Sequence, residues 1–197
     1  PTGSATLPFN EVNLNIADVS SITVSVDINT SGGQFEGDND SLTESGAYTA
    51  EFGVTANLTH SVGGPSLLDP SFNSIGGSLS ATDVQSGSLA VDDGDGPGFH
   101  AGGPDYFIFP LGNLSDSDSG NINNAGWGSY LGTGTYTIDV NANQFQQITG
   151  IGGLATTVLP IDLTGSVTVE VVPESSSYAF LAALSAMAFV IVRRKRA

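Results

Sequence analysis

Positive charge is almost missing from this chain. Its only Lys and Arg residues are Arg193, Arg194, Lys195 and Arg196, while all twenty acidic residues lie upstream, from Glu11 to Glu174. The formal charge of −16 is therefore −20 over residues 1–192 and +4 over the tail. A body without Lys or Arg cannot pair its carboxylates with them. They must be hydrated, hydrogen-bonded to backbone N–H groups, or neutralised by metal cations. Such a body repels nucleic acid and anionic surfaces and has no side chain with which to clamp a phosphoryl group. No nucleic-acid partner is expected. Cysteine is absent, which excludes disulfides, thiolate metal sites and Cys nucleophiles.

Catalytic patterns are equally scarce. The chain has two histidines, His60 and His100, and no G-x-S-x-G elbow around any Ser. His60 follows a long alternating run and is expected at a strand end on the surface. The GTGT at 132–135 and GIGGLA at 150–155 lack the third Gly and the following helix of a dinucleotide fingerprint. No spacing singles out a pair of carboxylates for glycoside hydrolysis. The expectation is a protein that is not an enzyme.

Alternation is abundant. Val12, Leu14 and Ile16 form one run, and Ile22, Val24, Val26 and Ile28 another. Tyr48, Ala50, Phe52, Val54, Ala56 and Leu58 form the longest; Tyr136, Ile138 and Val140, then Val167, Val169 and Val171, follow. A period of two marks strands with one face in a core. The stretches TSGGQFEGDNDS, SVGGPS and VDDGDGPG read as turns and loops, and Pro110 restricts YFIFP to an edge strand or a break. With 39% hydrophobic residues, residues 1–172 are expected to form one all-β domain, an antiparallel β-sandwich of about eight to ten strands.

The end of the chain differs. Residues 178–192, YAFLAALSAMAFVIV, carry no charge, Pro or Gly. As a helix they would be about 22 Å long, approaching the ~30 Å hydrocarbon core of a bilayer once the preceding serines are added. The segment is apolar all round, which argues against an amphipathic core helix. Arg193, Arg194, Lys195 and Arg196 follow it directly as a stop-transfer block, which places the tail in the cytoplasm and the acidic body outside. A single C-terminal transmembrane helix is expected, with a basic tail at 193–196.

The whole run from 173 to 197 has three parts in order: Pro173–Glu174, a short apolar helix and an Arg-rich end. It resembles the PEP-CTERM sorting signal of Gram-negative bacteria, which an exosortase in the inner membrane recognises. Ser175 stands where that family has its second Pro. The segments LPFNEVNLNIADVSSITVSVDI, GTGTYTIDVNAN and LTGSVTVEVV resemble strands of the choice-of-anchor type E domain, which accompanies such signals. The resemblance implies export across the inner membrane, an exosortase-type membrane protease as partner, and a place at the cell surface or in an exopolysaccharide (biofilm) matrix. It also implies that a signal peptide and further residues precede Pro1.

Calcium is the cofactor that the residues themselves suggest. Asp38, Asp40 and Glu44 lie in one acidic stretch and Asp92, Asp93 and Asp95 in a second, with Asp116 and Asp118 in a third. Closely spaced carboxylates with Gly-permitted carbonyls supply the hard oxygens that Ca2+ requires. Solvated acidic turns are the alternative. Among aromatics, Tyr106, Phe107 and Phe109 suit a core, whereas Trp127 and Tyr130 in the Gly-rich NAGWGSYLG suit a platform for stacking on sugar rings. A Ca2+-dependent carbohydrate-binding module, with extracellular polysaccharide as partner, is therefore the second functional reading.

Overall fold

The computed structural model describes residues 2–60, 64–96 and 98–174. The expected membrane helix at 178–192 and the stop-transfer block at 193–196 lie outside them. Among the described residues no helix is long and apolar enough to cross a membrane.

The domain is all-β and antiparallel. Among the described residues eight strands follow in order: β1 (Thr2–Asn10), β2 (Val19–Asn39), β3 (Gly46–His60), β4 (Leu79–Leu89), β5 (Tyr106–Pro110), β6 (Ser115–Asn121), β7 (Thr135–Thr149) and β8 (Leu154–Pro173). The helical content among the described residues is two 3-10 turns, at Ile16–Asp18 and Asn124–Ser129. One sheet has the order β1-β7-β3-β4. In the other, β2 is central. β8 pairs with it from Val19 to Asn39, while β6 covers Thr23–Asn29 and β5 covers Gln34–Asp38. Since β8 shares both stretches, β6 and β5 lie end to end on the opposite edge of β2.

The two sheets face each other across two connected groups of buried side chains. Ile22, Val24, Val26 and Ile28 of β2 meet Val54, Ala56 and Leu58 of β3, Leu79 and Ala81 of β4 and Ile138 of β7. Toward the other end, Phe35, Tyr48, Phe52, Phe107 and Phe109 form the second group. Phe35 packs edge-on against Phe107, with ring centroids 5.6 Å apart. Full burial of each such ring contributes about 1.5–3 kcal/mol.

Two glycines explain why there are two groups. The stretch TSGGQFEGDNDS is not a loop, as expected, but continues β2. Gly32 and Gly33 take φ of +66° and +83° inside the strand, a conformation that other residues rarely adopt. The bend leaves the pairing with β8 in place on both sides, Gly32 with Ile161 and Gln34 with Leu159. It does change which residues point inward: even-numbered ones up to Thr30, odd-numbered Phe35 beyond. Asp38 and Asn39 thereby reach the buried end of a strand rather than an open turn.

Other expectations also shift. Val12, Leu14 and Ile16 form a connection, not a strand: Val12 makes an isolated bridge to Leu131, and Ile16 enters a 3-10 turn and is exposed. The first strand is Thr2–Asn10 instead, with Pro8 tolerated because β1 is an edge. Pro110 ends β5, which pairs on one side only, as its ring requires. His60 ends β3 and is exposed.

Candidate cation site at the acidic end

The ends of β2, β4 and β5 converge, and the organiser is Asn39, which is fully buried. Its side-chain amide donates to the carbonyls of Glu44 and Ala90, and its oxygen accepts from the backbone N–H of Ser41. Backbone hydrogen bonds complete the junction: Asn39 N–H to Asp105 O at 3.1 Å, Asp92 N–H to Ser41 O at 3.0 Å, and Ala90 N–H to Pro104 O at 3.1 Å. Both ends of the Gly-rich segment 92–105 are thereby tied to the end of β2.

Two groups of ligand-type side chains meet here. In the first, one carboxylate oxygen each from Asp92, Asp93 and Asp105 lie within 4.8 Å of one another; in the second, one carboxylate oxygen each from Asp38 and Asp95 and a ring nitrogen of His100 do so. Asp38 and Asp105 are each only 1% exposed. Asp38 Oδ2 accepts from the backbone N–H of His100 at 2.8 Å, and His100 Nδ1 lies 3.5 Å from Asp95 Oδ1. Desolvation pushes the Asp95 carboxyl above its ordinary value; His100 opposes this, while repulsion from Asp93, Asp38 and Asp105 adds to it. The field at Asp95 is thus shared by both groups, and its sign favours a cation.

Asp92, Asp93, Asp95 and Asp38, expected in two separate stretches, are brought together. Asp40 sits beside them, accepting from Gly98 N–H at 3.1 Å, but belongs to neither group. Glu44 does not join: it is exposed, and its carboxylate lies toward Gly152. Asp105 and His100 were not singled out from sequence. The one available signal for Asp105 was its place in GGPDYFIF, where a Gly-rich segment returns to a strand.

The expected sugar platform at Trp127 and Tyr130 is corrected by burial. Trp127 is 9% exposed and Tyr130 fully enclosed. The indole N–H donates to Ile122 O at 3.0 Å, and the Tyr130 hydroxyl donates to Ser66 O. Burial pushes that hydroxyl well above the ordinary tyrosine value. Both rings belong to the core cluster that also holds Leu67 and Ile122. Phe107 and Phe109 are buried, as expected.

Among the described residues the exposed aromatic is Phe72, which sequence did not single out. It is 71% exposed, at positive φ (64°), on the rim of a cleft of about 750 Å3 lined also by Leu58, Leu68, Ser74 and Asn123. A bulky residue in that backbone region is strained. The Asp69 carboxylate holds the turn by accepting from the N–H groups of Ser71 and Asn73, each at 2.8 Å. This cleft lies at the His60 end of β3, whereas the acidic groups lie near Gly46, at its other end.

Comparison with protein families, with curated proteins and with solved structures gave no match.

Proposed function

We propose that this is a non-enzymatic, exported protein of a Gram-negative cell surface or extracellular polysaccharide matrix, processed by an exosortase-type protease at its C-terminal signal. The observation that carries the reading is where the sheet stops. β8 ends at Pro173, paired with Val19, and Glu174 N–H donates to Asp18 O at 2.8 Å. Among the described residues the last strand thus ends at the Pro-Glu pair with which the signal-like run begins, which is where a processing site is expected. A body with no Lys or Arg before residue 193 suits a hydrated, screened exterior. Mass spectrometry of the C-terminus of the protein from its native host tests the reading. The expected mature chain ends near Glu174 and is found outside the cytoplasm. A chain intact to Ala197 in the detergent-free cytosol overturns it, and an intact chain in the membrane fraction makes it a permanently anchored protein.

Phe72 favours a second reading, carbohydrate binding at the cleft beside it. Its exposed ring face is the kind of surface on which sugars stack, and Asn123 and Ser74 bring polar groups to the same cleft. Calcium at the acidic end does not bridge protein and sugar here, since the two sites occupy opposite ends of β3. Binding to a polysaccharide array that is lost in Phe72→Ala supports this reading, and binding unchanged in that variant ends it.

A further inference from the structure

Asp105 presents a problem that hydrogen bonding leaves unsolved. Its Oδ2 accepts from the backbone N–H of Asp93 at 2.8 Å, but its Oδ1 is fully enclosed and has no hydrogen-bond partner among the described residues. A buried carboxylate oxygen without a donor is costly unless a cation answers it. That atom is not turned into apolar packing. It faces the space beside Gly103, where Asp93 Oδ2 also arrives: a Cβ on Gly103 would stand 2.6 Å from Asp105 Oδ1 and 2.7 Å from Asp93 Oδ2. Gly103, at φ +88°, lets both carboxylates close against the backbone.

We propose that Asp92, Asp93 and Asp105 form a divalent-cation site, filled by Ca2+, that staples the segment 92–105 to the end of β2. The assignment to calcium rests on the donors. All three are hard carboxylate oxygens, and they lie within 4.8 Å of one another, close enough for one ion to reach all of them at the roughly 2.3–2.6 Å typical of Ca–O contacts. Mg2+ demands near-ideal octahedral geometry, keeps several of its waters and is usually held by one or two carboxylates, so three convergent carboxylates on an irregular Gly-rich segment suit Ca2+ better. Asp38, Asp95 and Asp40 stand close by and add negative potential, with His100 as the one nearby side chain among the described residues able to take positive charge. Water and loop carbonyls complete the shell. This inference is independent of where the protein is sorted or whether it is cleaved.

The test is thermal unfolding of the full chain in detergent, calcium-free or with added CaCl2 or MgCl2, alongside calorimetric titration with CaCl2. The expected result is a rise in Tm of about 5–10 °C at a hundredfold excess of Ca2+ over its Kd, with a much smaller rise in Mg2+. Asp105→Asn keeps the shape and an acceptor for Asp93 N–H while removing charge. It is expected to weaken Ca2+ binding at least tenfold and to melt no lower than the parent chain in calcium-free buffer, because no bare carboxylate is left buried. Asp162→Asn on β8 is expected to keep the parent response. No Ca2+-dependent rise in the parent chain, an equal rise in Mg2+, or an unchanged rise in Asp105→Asn each overturns the site. So does Asp105→Asn losing the same stability in both buffers, because that is the behaviour of an ordinary structural hydrogen bond.

Discussion

Asp116 and Asp118 on β6, and Asp92 and Asp93 beyond β4, share a local pattern of closely spaced aspartates among small residues, yet their oxygens meet different ends. On β6 every carboxylate oxygen is used. Asp116 accepts from Ser80 N–H at 2.7 Å and Ser117 N–H at 2.9 Å, and Asp118 from Gly76 N–H at 2.7 Å and Ser119 N–H at 2.8 Å. These bonds latch β6 to the start of β4 and close that side of the two sheets. At the other end, Asp92 accepts from Gly94 N–H, but Asp105 Oδ1 is left without a donor and three carboxylates crowd together. Acid density alone does not make a cation site; unspent oxygens in one place do.

The largest expected effect tests the frame on which this contrast stands. Asn39→Ala removes three hydrogen bonds from a fully buried junction, a loss of about 3 kcal/mol at roughly 1 kcal/mol each. Tm is then expected to fall by roughly 6–12 °C in calcium-free buffer, with the Ca2+ response reduced as well. Asp118→Ala comes next. It strands the buried N–H of Gly76, at a cost of about 1–3 kcal/mol, and the loss should be the same with and without Ca2+. A calcium-dependent loss there would erase the distinction between the two acidic regions.

Acidity sharpens the comparison with a smaller signal. The folded-state pKa of Asp95 is raised above 3.8, so the stability linked to this group is fully present below 3.8 and is lost as pH rises through the higher folded value. In calcium-free buffer the acidic end should therefore firm up as pH falls toward about 4. Saturating Ca2+ should flatten that gain, as should Asp95→Asn, in melting curves recorded across pH. Asp69 behaves in the opposite sense. Donation from the Asn73 backbone and side chain, with help from Ser71 and against desolvation, holds its carboxyl below 3.8. Its contribution is present above 3.8 and is lost as pH falls through the folded value. The smallest expected effect is thus faster amide exchange at Ser71 and Asn73 on acidification, seen by NMR, while the Asn39 junction stays protected.

The strands legible in the sequence were those with an unbroken apolar alternation. Ile22–Ile28, Tyr48–Leu58 and Val167–Val171 all fall inside β2, β3 and β8. β4 and β6 were not legible, because LSATDVQSGSL and SDSDSGN place few apolar side chains inward and owe their strand form to pairing with β3 and β2. The run Val12–Ile16 misled for the converse reason: it alternates, but no neighbouring strand offers it a ladder. In the candidate site, Asp92, Asp93, Asp95 and Asp38 were legible as local acid clusters. Asp105 was not, because its importance comes from one buried oxygen and not from its neighbours in the chain.

The sequence by itself determined the class of structure and the unmet demand for positive charge. Alternating hydrophobicity leaves sheets as the way to bury those side chains, and a body without Lys or Arg must find its counter-charges elsewhere. Only the tertiary structure decided which acids are answered by backbone N–H groups and which are not. That outcome depends on where strand ends meet across some sixty-five residues, from Asp38 to Asp105. Carboxylate satisfaction is a property of distances in space, and the Gly32–Gly33 bend that helps set those distances reads, in one dimension, as an ordinary turn.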